Sequence, residues 1–152
     1  MNFFKKKRVL KAVTSGQLIS LADVNDAVFS ANMMGEGYAI ADHSGQIFSP
    51  VTGQVVSIFP TLHAITLKSK TGDTVLIHMG LDTVELKGTP FSIHVTEGQH
   101  VTTHTLLAQM NLPLLAEEGK DEIVIVVLPE VAEGQLLKGN SQVVLEEDVF
   151  QF

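Results

Sequence analysis

Two of the six histidines, His63 and His78, lie in TLHAITL and TVLIHMG, apolar and β-branched stretches in which a strand normally spends its residues on the core. An imidazole there must satisfy two ring nitrogens, and two such rings that face one another order each other. Three chemistries use a histidine pair. Zinc would take both rings, but a closed site needs four ligands and a catalytic one three, and no H-x-H or H-E-x-x-H spacing supplies the rest. Hydrolysis by a nucleophile-histidine triad lacks a serine in a recognisable context, and the chain has no cysteine at all. The third is nucleophilic catalysis by imidazole, in which one ring carries a phosphoryl group and the other stabilises its charge. An apolar surround suits this third use, because the N–P bond is high in energy and must be kept from bulk water until a partner docks.

Whether the rings meet depends on a hairpin closed through SKTGD. Opposed residues of an antiparallel pair have a constant sum of residue numbers. A two- or four-residue loop centred on Lys70-Thr71 sets that sum at 141, the value for His63 with His78. The rings are then directly opposed, with Cβ atoms about 5 Å apart. A three-residue loop ending on Gly72 raises the sum to 142 and sends the rings to opposite faces unless a bulge restores phase. Alternation places His63 with Ile65 and Leu67, and His78 with Thr74 and Leu76, so that each ring belongs to a largely apolar face. The other histidines, His43, His94, His100 and His104, stand in polar or turn contexts and read as structural.

The elements that must position these rings are short. Apolar or alternating runs at 17–20, 37–41, 46–48, 54–58, 62–68, 74–79, 91–95, 106–110, 123–127 and 142–145 predict strands. The segments between them, such as PVTGQ, KTGD, LKGTP and EGQH, carry the glycine or proline of a tight reversal. This punctuation predicts an all-β fold, an antiparallel β-sandwich of barrel-sandwich type. One or two short helical turns are expected, at 21–29 with Ser20 or Asp23 as cap and at 111–118 entered through Pro113. With 152 residues the chain makes one domain, over 9–152, preceded by a flexible basic tail at 1–8. The longest apolar run, 123–128, is far short of the roughly 20 residues of a membrane helix. MNFFKKKR has no apolar core of a secretory signal, so a cytoplasmic protein is expected, and Met1 with the basic start favours a free-standing protein over a module of a longer fused chain. At most, residues 3–8 make weak peripheral contact with an anionic membrane. A net charge of −7 argues against nucleic acid as partner and favours a basic protein.

The run GDTVLIHMGLDTV at 72–84, followed by ELKG, resembles the active-site signature of the enzyme IIA proteins of the bacterial sugar phosphotransferase system, glucose class. Further likeness lies in PVTGQVVSIFPTLHAI (50–65), MMGEGYAI (33–40), EGQHV (97–101) and NLPLL (111–115), so it spans about 9–152. The resemblance implies a phosphoryl relay, with His78 accepting the group from the phosphocarrier protein HPr and passing it to a cysteine of the IIB domain of a sugar permease. It implies that His63 donates a hydrogen bond to the phosphoryl oxygens and that Thr61 orients His63. The Gly80 carbonyl would hold Nδ1–H of His78, leaving Nε2 as nucleophile. Asp82 and Glu36 would form an acidic rim for partner arginines, Glu36 standing where the family usually has Asp. Phe59, Leu76, Met34 and Val28 would form the apolar docking patch, Leu76 standing where an aromatic is common. No cofactor is required on this reading. The alternative is a regulatory module whose histidine face binds and inhibits uptake or metabolic enzymes, with His63 and His78 sharing a zinc ion with a partner's carboxylate. A metallopeptidase of a related β-fold is a poorer third, since the H-x-H spacing is missing.

Overall fold

The computed structural model describes residues 7–152. Its strands are β1 (Val9–Lys11), β2 (Gly16–Ile19), β3 (Glu36–Ala41), β4 (Gln46–Phe48), β5 (Gly53–Ile58), β6 (Ala64–Ser69) and β7 (Thr74–Met79). They continue as β8 (Phe91–Ile93), β9 (His100–Val101), β10 (Leu106–Met110), β11 (Val124–Leu128), β12 (Gln135–Leu136), β13 (Gln142–Val143) and β14 (Asp148–Gln151). One sheet has eight strands in the order β13-β2-β3-β11-β7-β6-β5-β9, and two have three strands each, β1-β14-β12 and β4-β10-β8. Every pairing is antiparallel, as the turn chemistry predicts.

The centre of the large sheet is buried on both faces. In β11 every residue of VIVVL is buried. Val124, Val126 and Leu128 enter the main core, whereas Ile125 and Val127 join a smaller cluster on the other face. The same division runs through β7: Val75, Ile77 and Met79 face the main core, and Leu76 faces the smaller cluster. This explains the continuous apolar runs of these two strands, since a strand covered on both sides has no polar face to alternate with. The smaller cluster is roofed by Leu21, Val24 and Phe29 from the segment before β3.

That segment was expected to be helical over 21–29, and it divides in two. A 3-10 turn at Leu21–Asp23 is capped by the Ser20 hydroxyl, and α1 (Ala27–Ser30) is capped by Asp26, whose Oδ1 accepts from Val28 N at 2.9 Å and Phe29 N at 3.1 Å. Extended backbone at Val24 breaks the run, and Asp23 caps nothing. The second helix, α2 (Leu112–Glu117), starts on Asn111, which accepts from Leu114 N at 3.1 Å, with Pro113 in its first turn.

The tail boundary at 8 is one residue too late. Arg8 exchanges backbone hydrogen bonds with Phe152 at 2.9 Å each way, pairs with Asp73 at 2.9 Å and lies over the Phe152 ring. The membrane-contact reading of residues 3–8 falls mostly on 3–6, outside the described residues. Among the described residues no helix is long and apolar enough to cross a membrane.

Candidate functional site

The β6–β7 hairpin uses the three-residue loop. Ser69 N bonds Asp73 O at 2.8 Å and Gly72 N bonds Ser69 O at 2.9 Å, with Gly72 at φ +91°, a type I turn completed by a left-handed glycine. Ala64 therefore faces His78, and direct opposition of His63 to His78 is ruled out. The face assigned to His63 is also corrected, because Ile65 and Leu67 point into the main core, away from Leu76.

The rings meet nonetheless, with centroids 5.0 Å apart at 80°. His63 precedes β6 and follows Leu62, which sits at φ +59° in the loop returning from β5. Its ring is aimed by that loop rather than by the pleat of the strand. Ala64 presents only a methyl group opposite His78, which leaves room for the second ring.

Each ring is anchored at Nδ1. His63 Nδ1 lies 2.6 Å from Thr61 Oγ1, and His78 Nδ1 lies 2.8 Å from Gly80 O. A carbonyl oxygen only accepts, so Nδ1 of His78 carries the proton and Nε2 keeps its lone pair. The Thr61 hydroxyl either donates or accepts, so His63 can present an Nε2–H without becoming charged. Two phenylalanines hold the rings edge-on: Phe59 against His63 at 5.4 Å and Phe29 against His78 at 5.0 Å.

Burial lowers the pKa of His78 to about 4, helped by the like charge His63 would carry and opposed by the Gly80 carbonyl, Asp26 and Asp82. Burial also lowers the pKa of His63. Both rings are thus neutral at neutral pH, the state in which an imidazole is a nucleophile. The sign is definite: protonation removes the lone pair, so acceptance of an electrophile at His78 should persist well below pH 6 and fail as the pH nears about 4. Following the His78 ring protons by NMR should give a midpoint near 4, and a midpoint at the usual 6.5 would contradict the burial argument.

One carboxylate beside the pair was not expected. Asp82 is exposed, in left-handed conformation at φ +58° just after Leu81, and its charge acts on His78. The second carboxylate acting on His78 is Asp26, not Glu36. Glu36 lines a cleft of about 330 Å³ with Ser20, Asn32 and Gln135, where burial raises its pKa. Asp26 was missed, and with it Phe29. The signal was present as an Asp immediately before AVF, an N-cap pattern that lost to the earlier Ser20 and Asp23. The two duties of Asp26 are separable. Asp26→Ala should cost about 1 kcal/mol through the lost cap, read by thermal unfolding. Asp26→Asn should keep the cap yet shift the His78 midpoint further down, read by the same NMR titration.

Of the residues expected in the apolar patch, Val28 is 42% exposed, Phe59 and Met34 are half-buried, and Leu76 is buried in the floor. Met33 at 71% and Val84 at 47% exposure add outward apolar surface on the same flanking segments. His43 is a satisfied core residue, bonded to Glu122 O at 2.7 Å and accepting from Gly45 N at 3.0 Å. His94 bonds Gln109 and His104 pairs with Glu146, while His100 is exposed on β9. Among the described residues no group of three or more His, Cys, Asp or Glu could hold a metal. His63 and His78 offer two open Nε2 atoms, short of the three ligands of even an open zinc site, so a resident zinc does not fit this chain alone.

Comparison with known proteins places the whole fold in a family. The family model described as phosphoenolpyruvate-dependent sugar phosphotransferase system, EIIA 1 matches residues 8–133. The chain is 45% identical over 116 residues to the PTS system glucose-specific EIICBA component of Streptococcus pneumoniae and 44% identical over 121 residues to the glucosamine-specific EIICBA component of Bacillus subtilis. These alignments cover 76% and 80% of the chain, which spans only 16% and 19% of those longer relatives. It is 36% identical over 126 residues to the PTS system glucose-specific EIIA component of Halalkalibacterium halodurans, covering 83% of the chain and 73% of that protein. The solved structure of the glucose permease IIA from Mycoplasma capricolum superposes with a TM-score of 0.85 at 33% identity, covering 99% of each chain. The fold, the histidine pair set in its signature and this match over most of the chain place it together: the chain belongs to the EIIA 1 family of the phosphoenolpyruvate-dependent sugar phosphotransferase system.

Proposed function

We propose that this chain is a phosphoryl relay in sugar uptake, with Nε2 of His78 accepting the group from phospho-HPr and passing it to a IIB domain of a sugar permease. The observation that carries the reading is the ring pair: a neutral His78 with Nδ1 committed to Gly80 O and Nε2 free, 5.0 Å between centroids from a second imidazole. On acceptance the Nε2 lone pair forms the N–P bond as the donor nitrogen's bond to phosphorus breaks, and on onward transfer the Nε2–P bond breaks as the sulfur of the IIB cysteine bonds to phosphorus, donor and acceptor atoms lying in line across phosphorus each time. Nε2–H of His63 stabilises the charge on the phosphoryl oxygens, and Thr61 holds that ring in place. Phe29 and Phe59 limit water around the N–P bond. Asp26 and Asp82 flank the acceptor and suit a partner bearing basic residues, as HPr must to meet an acidic rim. Longer relatives named EIICBA, of which this chain matches a part, support a IIB partner. Incubation with phosphorylated HPr should yield one equivalent of acid-labile, base-stable phosphate on the protein, as expected of phosphohistidine. Failure to label under conditions that label an EIIA of known activity overturns the reading.

A further inference from the structure

The structure assigns to Thr83 a role in the relay: we infer that its hydroxyl is the positioning group that locks the Gly80 carbonyl, and through it the tautomer of His78. This rests on the reading of His78 as acceptor. Thr83 is fully buried, and its Oγ1 donates to Met79 O at 2.6 Å.

The need for that bond follows from the ladder. Met79 N–H makes the last bond on the β6 side of the strand, reaching His63 O at 2.7 Å. Beyond this point β6 has given way to the loop that aims His63, and the Met79 carbonyl is met by a side chain, the Thr83 hydroxyl. The Met79–Gly80 peptide is thereby held at both ends, by Thr83 on its carbonyl and by Ile123 O on the Gly80 N–H at 2.8 Å. The next peptide is held at Leu81 N–H by Asp121 O at 3.1 Å, and its carbonyl is the Gly80 oxygen that receives His78 Nδ1–H. Between the two held peptides lies only Gly80, at φ +80°. A Cβ at Gly80 would stand 2.5 Å from Thr83 Cγ2 and 2.9 Å from Asp121 O, so the threonine also fills the space into which the turn could relax. The Thr83 hydroxyl bonds Met79 O and neither imidazole. It acts through the turn.

Thr83→Val keeps the branched shape and deletes the hydroxyl, leaving the Met79 carbonyl without its donor. In the unphosphorylated wild-type protein, ¹⁵N NMR of the His78 ring should show protonated Nδ1 and unprotonated Nε2. Thr83→Val should give a mixture of tautomers and about a tenfold slower uptake of phosphate from phospho-HPr, the scale on which loss of a group that orients an imidazole lowers activity. Thr83→Ser should restore both the single tautomer and the rate. A folded Thr83→Val with wild-type ring shifts and rate overturns the assignment, leaving Thr83 as packing alone. If the valine variant does not fold, the serine variant decides: retention of the single tautomer supports the role of the hydroxyl, and a mixture overturns it. The tautomer is read without any phosphoryl donor, so it stands or falls independently of whether phospho-HPr is the donor.

Discussion

Replacing His78 with alanine should abolish phosphoryl acceptance, lowering the rate by on the order of a millionfold, as removal of a nucleophile does elsewhere. The size of the effect follows from the absence of a substitute. His63, 5.0 Å away between centroids, sits behind Phe59 at 7% exposure and its Nδ1 is taken by Thr61. The remaining histidines are bonded elsewhere or lie exposed outside the pair. The variant should still fold, since His78 is only half-buried and its strand neighbours Ile77 and Met79 supply the core contacts. Autoradiography after incubation with labelled phospho-HPr checks this. Label retained on the alanine variant would move the acceptor to another residue.

His63→Gln separates the two rings. Acceptance should survive, because the His78 nucleophile and its tautomer are set by Gly80 and not by His63. Onward transfer should fall about a hundred- to a thousandfold, the cost of removing one aimed donor from a developing oxyanion. Glutamine offers an amide N–H in place of the imidazole, but its flexible arm lacks the edge contact with Phe59 and the 2.6 Å anchor to Thr61 that fix the ring. Single-turnover transfer from the phosphorylated variant to a IIB domain measures the effect. Normal transfer would reduce His63 to a spectator.

Much of the site was legible because function had replaced core residues in a recognisable way. A histidine flanked by TVLI and MGLD in a strand buried on both faces stands out by chemistry alone, and the glycine two residues later marks a turn no other residue makes cheaply. The all-β antiparallel class was legible from the turn residues for the same reason. The register of the hairpin was not, although Gly72 at the third loop position hinted at it. Choosing between loops required knowing that this glycine takes φ +91°. The placement of His63 was less legible still, since nothing in the sequence says that Leu62 adopts a left-handed conformation that leucine rarely visits. Strands β1, β9, β12 and β14 were missed because two to four residues carry too little alternation to register, and they form only through partners far away in the chain, as Leu10 does with Phe150. Glu36 was placed at the rim by the family resemblance, whereas Asp26, which caps the turn that sets Phe29 on His78, was not read from the sequence.

The proposed relay turns on one nitrogen. Phosphorylating ¹⁵N-labelled protein with phospho-HPr and recording ³¹P–¹⁵N couplings should place a single phosphoryl group on Nε2 of His78, with Nδ1 still protonated against the Gly80 carbonyl. Phosphorus on Nδ1 of His78, or on either nitrogen of His63, would contradict it.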